Sequence, residues 1–424
     1  MAPPAAPGGD FGALPGAALE RVARAAGSGP AGRMLGVCRH WAREVGGAGA
    51  LWEDFRAAEG WGPPPAAAGA GGGAQAGEEA GLPAFARGAG VRQRWRRGAG
   101  ALGAVAAHDR WAVACAVHGD QVVTGGYDRV VKVWAKNTLR WTAVLQGHSG
   151  KVSCVAAGPA GAVVSAGRGY IAHTGVPELL LWDVPTGQAR ALLGVRQNSN
   201  IASAIHDVAF AGEHAVLCGH GGGDAVLWDL RTPDSCAQVY RGHGGPVFGV
   251  AVAPEGRGGA GLPGAPAVGT ASSDHSAGLW DARTLRRVHS LPHDDGVLAV
   301  DLGGGGATSP PGGLVVTGGL DNAATVWSAG SGEVVGRVAH RDWVRKLRFQ
   351  GEFMASCGKD GSVGVWDLTD PASPQQTLLC GLGSDARCLA ADWDGLWAGC
   401  TDGQLHCVSF ADAPAFPHER PWGL

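Results

Sequence analysis

The chain has 424 residues, 45% of them apolar and 17% charged, with a formal net charge of −3. That apolar share excludes a chain disordered throughout, and the near-neutral balance gives no overall attraction to nucleic acid or an anionic membrane. Seventy-four glycines and sixteen tryptophans point to a chain that turns often and packs large rings.

The amino-terminal MAPPAAPGGDFG lacks the basic start and apolar stretch of a secretory signal, and no segment approaches the run of about 18 apolar residues that spans a bilayer. A soluble protein, cytoplasmic and/or nuclear, is expected. The ten cysteines contain no C-x-x-C pair and mostly stand in apolar, strand-like runs, so they read as buried free thiols.

Residues 10–61 come first. Met34, Val37, Cys38, Trp41 and Val45 recur at i, i+3, i+4, i+7 and i+11, which places them on one helical stripe. Before them stand Leu14-Pro15, Leu19, Val22 and Leu35, and after them Leu51-Trp52. Leu-Pro, a helix with spaced aliphatics, a Val-Cys-Arg-x-Trp helix and a closing Leu-Trp, in that order, resemble the F-box. The middle, ARAAGSGPAGRM, carries small residues where that family usually has leucines and an Asp-Leu pair. The resemblance implies a small all-α F-box domain that docks on a Skp-type adaptor protein and through it a cullin. Leu14, Pro15, Leu19, Val22, Leu35, Cys38, Trp41 and Trp52 would shape or line that interface.

Residues 62–98 hold a Gly/Ala/Pro-rich linker and then a basic run, Arg92, Arg94, Arg96 and Arg97 around Trp95. Arginines with an aromatic can hold phosphate and stack bases. The stronger reading is a solvated connector with Trp95 anchored against the next domain, and no nucleic acid or membrane partner is expected.

Residues 99–410 are repetitive. Trp134, Trp182, Trp228, Trp280, Trp327 and Trp366 each close an apolar run, at intervals of a propeller blade, and four are followed by Asp. His108, Thr124, Asp128 and Trp134 share their spacing with His340, Ser356, Asp360 and Trp366. His243, Thr270, Asp274, Trp280 and His293, Thr317, Asp321, Trp327 form two further sets, once insertions are allowed. The second repeat keeps His148, Ser165 and Trp182; the third lacks its opening His and its Asp; the seventh keeps Asp402, with Val408 in place of Trp. These units resemble the WD-repeat family. The fold implied is an all-β seven-bladed WD-repeat β-propeller preceded by the F-box domain, with ALGAVAA (101–107) lending the seventh blade its outermost strand. A Pro-containing tail, 411–424, ends the chain.

His, Ser/Thr and Asp are the groups of a nucleophilic triad, but here they recur in four repeats, whereas an active site is needed once. They read as buried hydrogen-bond networks against Trp. GHSGKVS (147–153) lacks the spacing of a phosphate-binding loop, and H-E-x-x-H is absent. No catalytic residue, metal or cofactor is expected. Alignment of the repeats places Val113, Ser153, His206, Phe248, Leu298, Arg345 and Arg387 one residue after the first inward-strand position, at the channel rim. Arg345, Arg387 and Lys359 offer a phosphate site, and Phe248, Leu298, His206 and the insertion carrying Arg168, Tyr170 and His173 an apolar or aromatic counterpart. The resemblances together imply a non-catalytic substrate-recognition subunit of an SCF-type ubiquitin ligase, whose propeller holds a target protein, phosphorylated or not. The alternative is a WD-repeat scaffold for protein assembly without a ligase role.

Overall fold

The computed structural model describes residues 91–410 except 99, 171–176, 192–202, 232–235, 254–266 and 304–312. The expected F-box helices and all eight residues assigned to adaptor binding fall outside the described residues, as does the tail. A helix over residues 91–97 is followed by 28 strands, numbered β1 to β28 in chain order.

The strands form seven antiparallel four-stranded sheets. Blade 1 runs outward through β2 (Ala112–His118), β3 (Gln121–Gly126), β4 (Val130–Ala135) and β5 (Arg140–Gln146). Blades 2 to 6 repeat that order over residues 152–191, 205–240, 247–292, 297–339 and 344–381. Blade 7 has β26 (Ala386–Asp392), β27 (Gly395–Cys400) and β28 (Gln404–Ser409), and takes its fourth strand from β1 (Ala101–Ala106), paired from Ala101↔Ser409 to Ala106↔Gln404. The borrowed strand read from ALGAVAA is therefore present. Second strands such as QVVTGG are buried almost throughout because neighbouring blades cover both faces, while outermost strands such as RWTAVLQ are mostly exposed.

The core lies between blades. Trp134 packs with Cys388 and Trp397 of blade 7, Trp182 with Val133 of blade 1, and Trp228 with Leu179 of blade 2. Trp280, Trp327 and Trp366 likewise sit against Leu217, Leu279 and Val316 of the blades before them. Each ring removes a large apolar area from water, and this is the main term holding blade to blade.

The indole N–H of each such Trp needs a buried acceptor, and the repeated polar residues supply it. Trp280 Nε1 donates to Thr270 Oγ1 at 2.8 Å, Thr270 lies 2.8 Å from His243 Nε2, and His243 Nδ1 lies 2.8 Å from Asp274. The same chain joins Trp134, Thr124, His108 and Asp128, and Trp327, Thr317, His293 and Asp321. Gly278 makes room for it, since a Cβ there would come within 2.7 Å of Trp280 Nε1. Blade 2 completes its chain with Glu178, 2.9 Å from His148 Nδ1, an acid on the third strand rather than in the turn. In blade 6 Ser356 links Trp366 and His340, while Asp360 accepts from Ser362. Blade 3 has Cys218 at the hydroxyl position, and Trp228 Nε1 is buried without a hydrogen-bond partner.

Arg94, Trp95 and Arg96 dock on the ring. Trp95 is fully buried, its ring centroid 4.5 Å from Phe410 and 5.4 Å from Phe353, with Nε1 donating to Trp393 O at 3.0 Å. Arg94 donates to Phe410 O, and Arg96 reaches Glu352 and Asp367, each at 3.3 Å. Trp95 is thus anchored as expected, but Arg94 and Arg96 bind ring acceptors rather than only solvent. The eight described free cysteines are all buried. Among the described residues, no helix is long and apolar enough to cross a membrane.

Two outcomes follow for stability. Trp95→Ala should cost about 3–5 kcal/mol in denaturant unfolding, and a variant as stable as the parent would show that the connector does not brace the seam. Burial holds the pKa of His148, His243 and His340 below 6.5 despite their acidic neighbours. The unfolded chain then binds more protons than the folded one below that pH, so stability declines as pH falls through the window. Burial alone would raise the Asp274 pKa, but bonds from Ser276, Gly244 and His243 bring it to about 2, adding a further loss below 3.8. Tm should be level from about pH 7 to about pH 8 and fall steadily from about pH 6.5 to about pH 4; a flat acid limb would contradict this.

Candidate functional site

Every inner strand begins on the face that also carries the turn between second and third strands, because the order is antiparallel throughout. On that face the chain makes the same local irregularity seven times. The register of the inner strand shifts by one residue between Ala112/Ala114, Val152/Cys154, Ile205/Asp207 and Val247/Gly249. It shifts again between Val297/Ala299, Val344/Lys346 and Ala386/Cys388. The skipped residue of such a bulge leaves the ladder and its side chain is re-aimed. The skipped residues are Val113, Ser153, His206, Phe248, Leu298, Arg345 and Arg387, the seven expected at the rim, and all line one channel cavity of about 410 Å³.

Chemically the ring is uneven. Ser153 Oγ is spent on backbone carbonyls, Ala166 O at 3.0 Å and Ile205 O at 2.9 Å. His206 packs edge-on against Phe248, with centroids 4.9 Å apart. Arg345 and Arg387 converge on one carboxylate, Asp385, at 3.1 and 3.3 Å. One residue deeper, Lys346 Nζ crosses the channel from blade 6 to Asp207 of blade 3 at 2.6 Å, and Asp207 also accepts the Val250 N–H at 3.0 Å.

Outward from the arginines runs an alternation of cations and rings. Arg345 lies 5.1 Å and Lys359 4.0 Å from the Trp343 ring centroid. Arg387 lies 5.1 Å from the Trp111 ring, which stacks on Tyr127 at 4.9 Å, and Lys151 sits 4.3 Å above Tyr127. The arc therefore spans blades 6, 7, 1 and 2, and Trp111 is 41% exposed. At the positions corresponding to Trp111 and Trp343, blades 3, 4 and 5 have Ala204, Pro246 and Gly296. Two carboxylates form ion pairs with these cations, Asp385 with both arginines and Asp342, 3.6 Å from Lys359.

Arg345, Arg387 and Lys359 thus share one face, as the repeat alignment required, with Phe248 and His206 on the other side of the channel mouth. Arg168 and Tyr170 end a strand of blade 2 (Val163–Tyr170), but their side chains and His173 lie outside the described residues. Sequence reasoning missed Trp111, Tyr127, Trp343, Asp385, Lys346 and Asp207. The position before each inner strand, once aligned, would have revealed the two tryptophans and Asp385.

A family model for the WD domain, G-beta repeat, matches residues 102–135 and 332–367. Among curated proteins, a "Guanine nucleotide-binding protein subunit beta" of Oryza sativa subsp. japonica is 27% identical over 192 residues, 43% of this chain and 47% of that protein. A "Guanine nucleotide-binding protein subunit beta-1" of Nicotiana tabacum is 28% identical over 199 residues, 44% of this chain and 49% of that protein. A "Small ribosomal subunit protein RACK1y" of rice is 31% identical over 111 residues, 26% of this chain and 30% of that protein. The chain spans about half the length, or less, of these relatives. It carries WD40 repeats and forms a seven-bladed WD40 propeller. Such a propeller is suited to protein–protein interaction.

The cross-channel ion pair has a measurable signature. Lys346→Met strips the buried Asp207 carboxylate of its lysine and leaves it the Val250 N–H, which should cost about 3–5 kcal/mol, whereas adding Asp207→Leu should recover most of it. If the two single changes simply add, the pair contributes nothing.

Proposed function

We propose that the chain is a protein-binding receptor whose propeller holds an acidic or phosphorylated segment of a target on the arc from Lys359 to Lys151. The observation that carries this reading is the asymmetry of the arc: exposed tryptophan beside excess cation on one side of the ring only. Tryptophan and arginine are the residues that most often dominate binding energy. A phosphate would have to compete with Asp385 for Arg345 and Arg387, so an anion of greater charge with three acceptor oxygens is favoured over a single carboxylate.

The F-box resemblance of residues 10–55 extends the proposal to a substrate-recognition subunit of an SCF-type ubiquitin ligase. The amino-terminal segment would bind a Skp-type adaptor, and the receptor would act by raising the effective concentration of target lysines near the conjugating enzyme. A scaffold without a ligase role is the second reading, favoured by the names of the relatives, which are G-protein β subunits and a small ribosomal subunit protein.

One purification separates the parts. Tagged full-length chain should bring down adaptor, cullin and target together. Leu19→Asp with Trp41→Ala should remove adaptor and cullin but keep target. Trp111→Ala or Arg387→Ala should weaken target binding by about 30-fold for a central anchor and keep the adaptor. Target without adaptor from the parent chain selects the scaffold. Target capture indifferent to Trp111 and Arg387 removes the arc.

A further inference from the structure

Blade 7 departs from the polar chain of its neighbours. Backbone bonding places Leu382, whose N–H reaches Gly361 O, where His293 and His340 reach His275 O and Asn322 O. Ala398 stands ten residues before Val408, as Thr124 stands before Trp134. Asp402 keeps its turn bond, accepting the Gln404 N–H at 2.9 Å, but the histidine that elsewhere holds this acid is missing.

Two other side chains occupy its surroundings. Cys400 ends β27 and His406 lies on β28 opposite Ala398, so the two are diagonal neighbours on one face of the hairpin. Cys400 Sγ, an Asp402 carboxylate oxygen and a His406 ring nitrogen all lie within 4.8 Å of one another. Both ring nitrogens of His406 are buried without a hydrogen-bond partner. Those of His108, His148, His243 and His293 are all paired. Buried polar atoms left unpaired are costly, and a hairpin that tolerates two on one imidazole beside a thiol and a carboxylate has the composition of an empty ligand set.

We propose that Cys400, Asp402 and His406 bind a zinc ion at the tip of the closing blade. Zinc takes thiolate, imidazole and carboxylate at about 2.0–2.3 Å, which in a tetrahedron separates donor atoms by roughly 3.3–3.8 Å, within reach of side-chain rotation from the present spacing. The mixed sulfur and nitrogen donors disfavour magnesium and calcium. Three protein donors leave the fourth position to water. Asp402 is exposed and gives the ion an entry from solvent, while Cys400 is buried. Binding forms the S–Zn bond as the Cys400 thiol proton leaves to water. Gly403, inside the ligand span, accepts the N–H groups of Ala107 and His108 at 3.0 and 2.9 Å, so the ion would stiffen the turn that receives the borrowed strand.

The test uses full-length protein stripped with a chelator and titrated with Co²⁺ and then Zn²⁺. One equivalent of Co²⁺ should produce a sulfur-to-cobalt charge-transfer band that Zn²⁺ abolishes, and Zn²⁺ should raise Tm. Cys400→Ser and His406→Ala should each weaken binding by about 100-fold and remove the Tm response, and Asp402→Asn by about tenfold. The other nine cysteines remain in Cys400→Ser, so a band that persists there places the metal elsewhere and overturns the proposal. A parent chain with no band overturns it as well. Should the buried variants fail to fold, Asp402→Asn decides, because its amide oxygen can still accept the Gln404 N–H; unchanged affinity in that variant rejects the site.

Discussion

A ring of sheets holds only if it has no ends, and here the whole ring depends on the pairing of β1 with β28. The strand that begins the propeller completes the blade that finishes it, so the first and last repeats are parts of one sheet. Trp134 of blade 1 packs onto blade 7 only because that sheet is complete. The seven bulge residues meet around a common channel for the same reason. Trp95 presses on the seam beside Phe410, and the bonds from Ala107 and His108 to Gly403 secure the opposite end of the borrowed strand.

Within blades the constraint is polar. A tryptophan large enough to hold two blades together brings an indole N–H into the core, and an unpaired N–H there is expensive. The hydroxyl, imidazole and carboxylate that follow are successive answers to that one donor, each satisfying the group before it. This explains why the acid may come from the turn, as in Asp128, or from the neighbouring strand, as in Glu178, without change to the rest. It also explains why these triad-like groups are buried in pairs and chains rather than opened onto the channel.

Much of this architecture was legible because it is periodic. Tryptophan spacing marked the blades, and the rim residues were found by simple alignment because the bulge recurs at the same point of every inner strand. Glu178 was invisible because the turn of its repeat is interrupted and the acid arrives from another position. The cation–ring arc was legible only in part, since Trp111, Tyr127 and Trp343 sit in loops whose mutual approach depends on the angle between blades. Lys346 and Asp207 are 139 residues apart, and only closure of the ring makes them partners. The helices expected over residues 10–61 rest on motif order alone.

The Lys346–Asp207 contact changes what kind of hole the propeller has. A charged bridge thrown from blade 6 to blade 3 spans the passage one residue below its mouth, since Lys346 follows Arg345 and Asp207 follows His206. Anything that reaches in from the aromatic side meets that fixed pair of opposite charges.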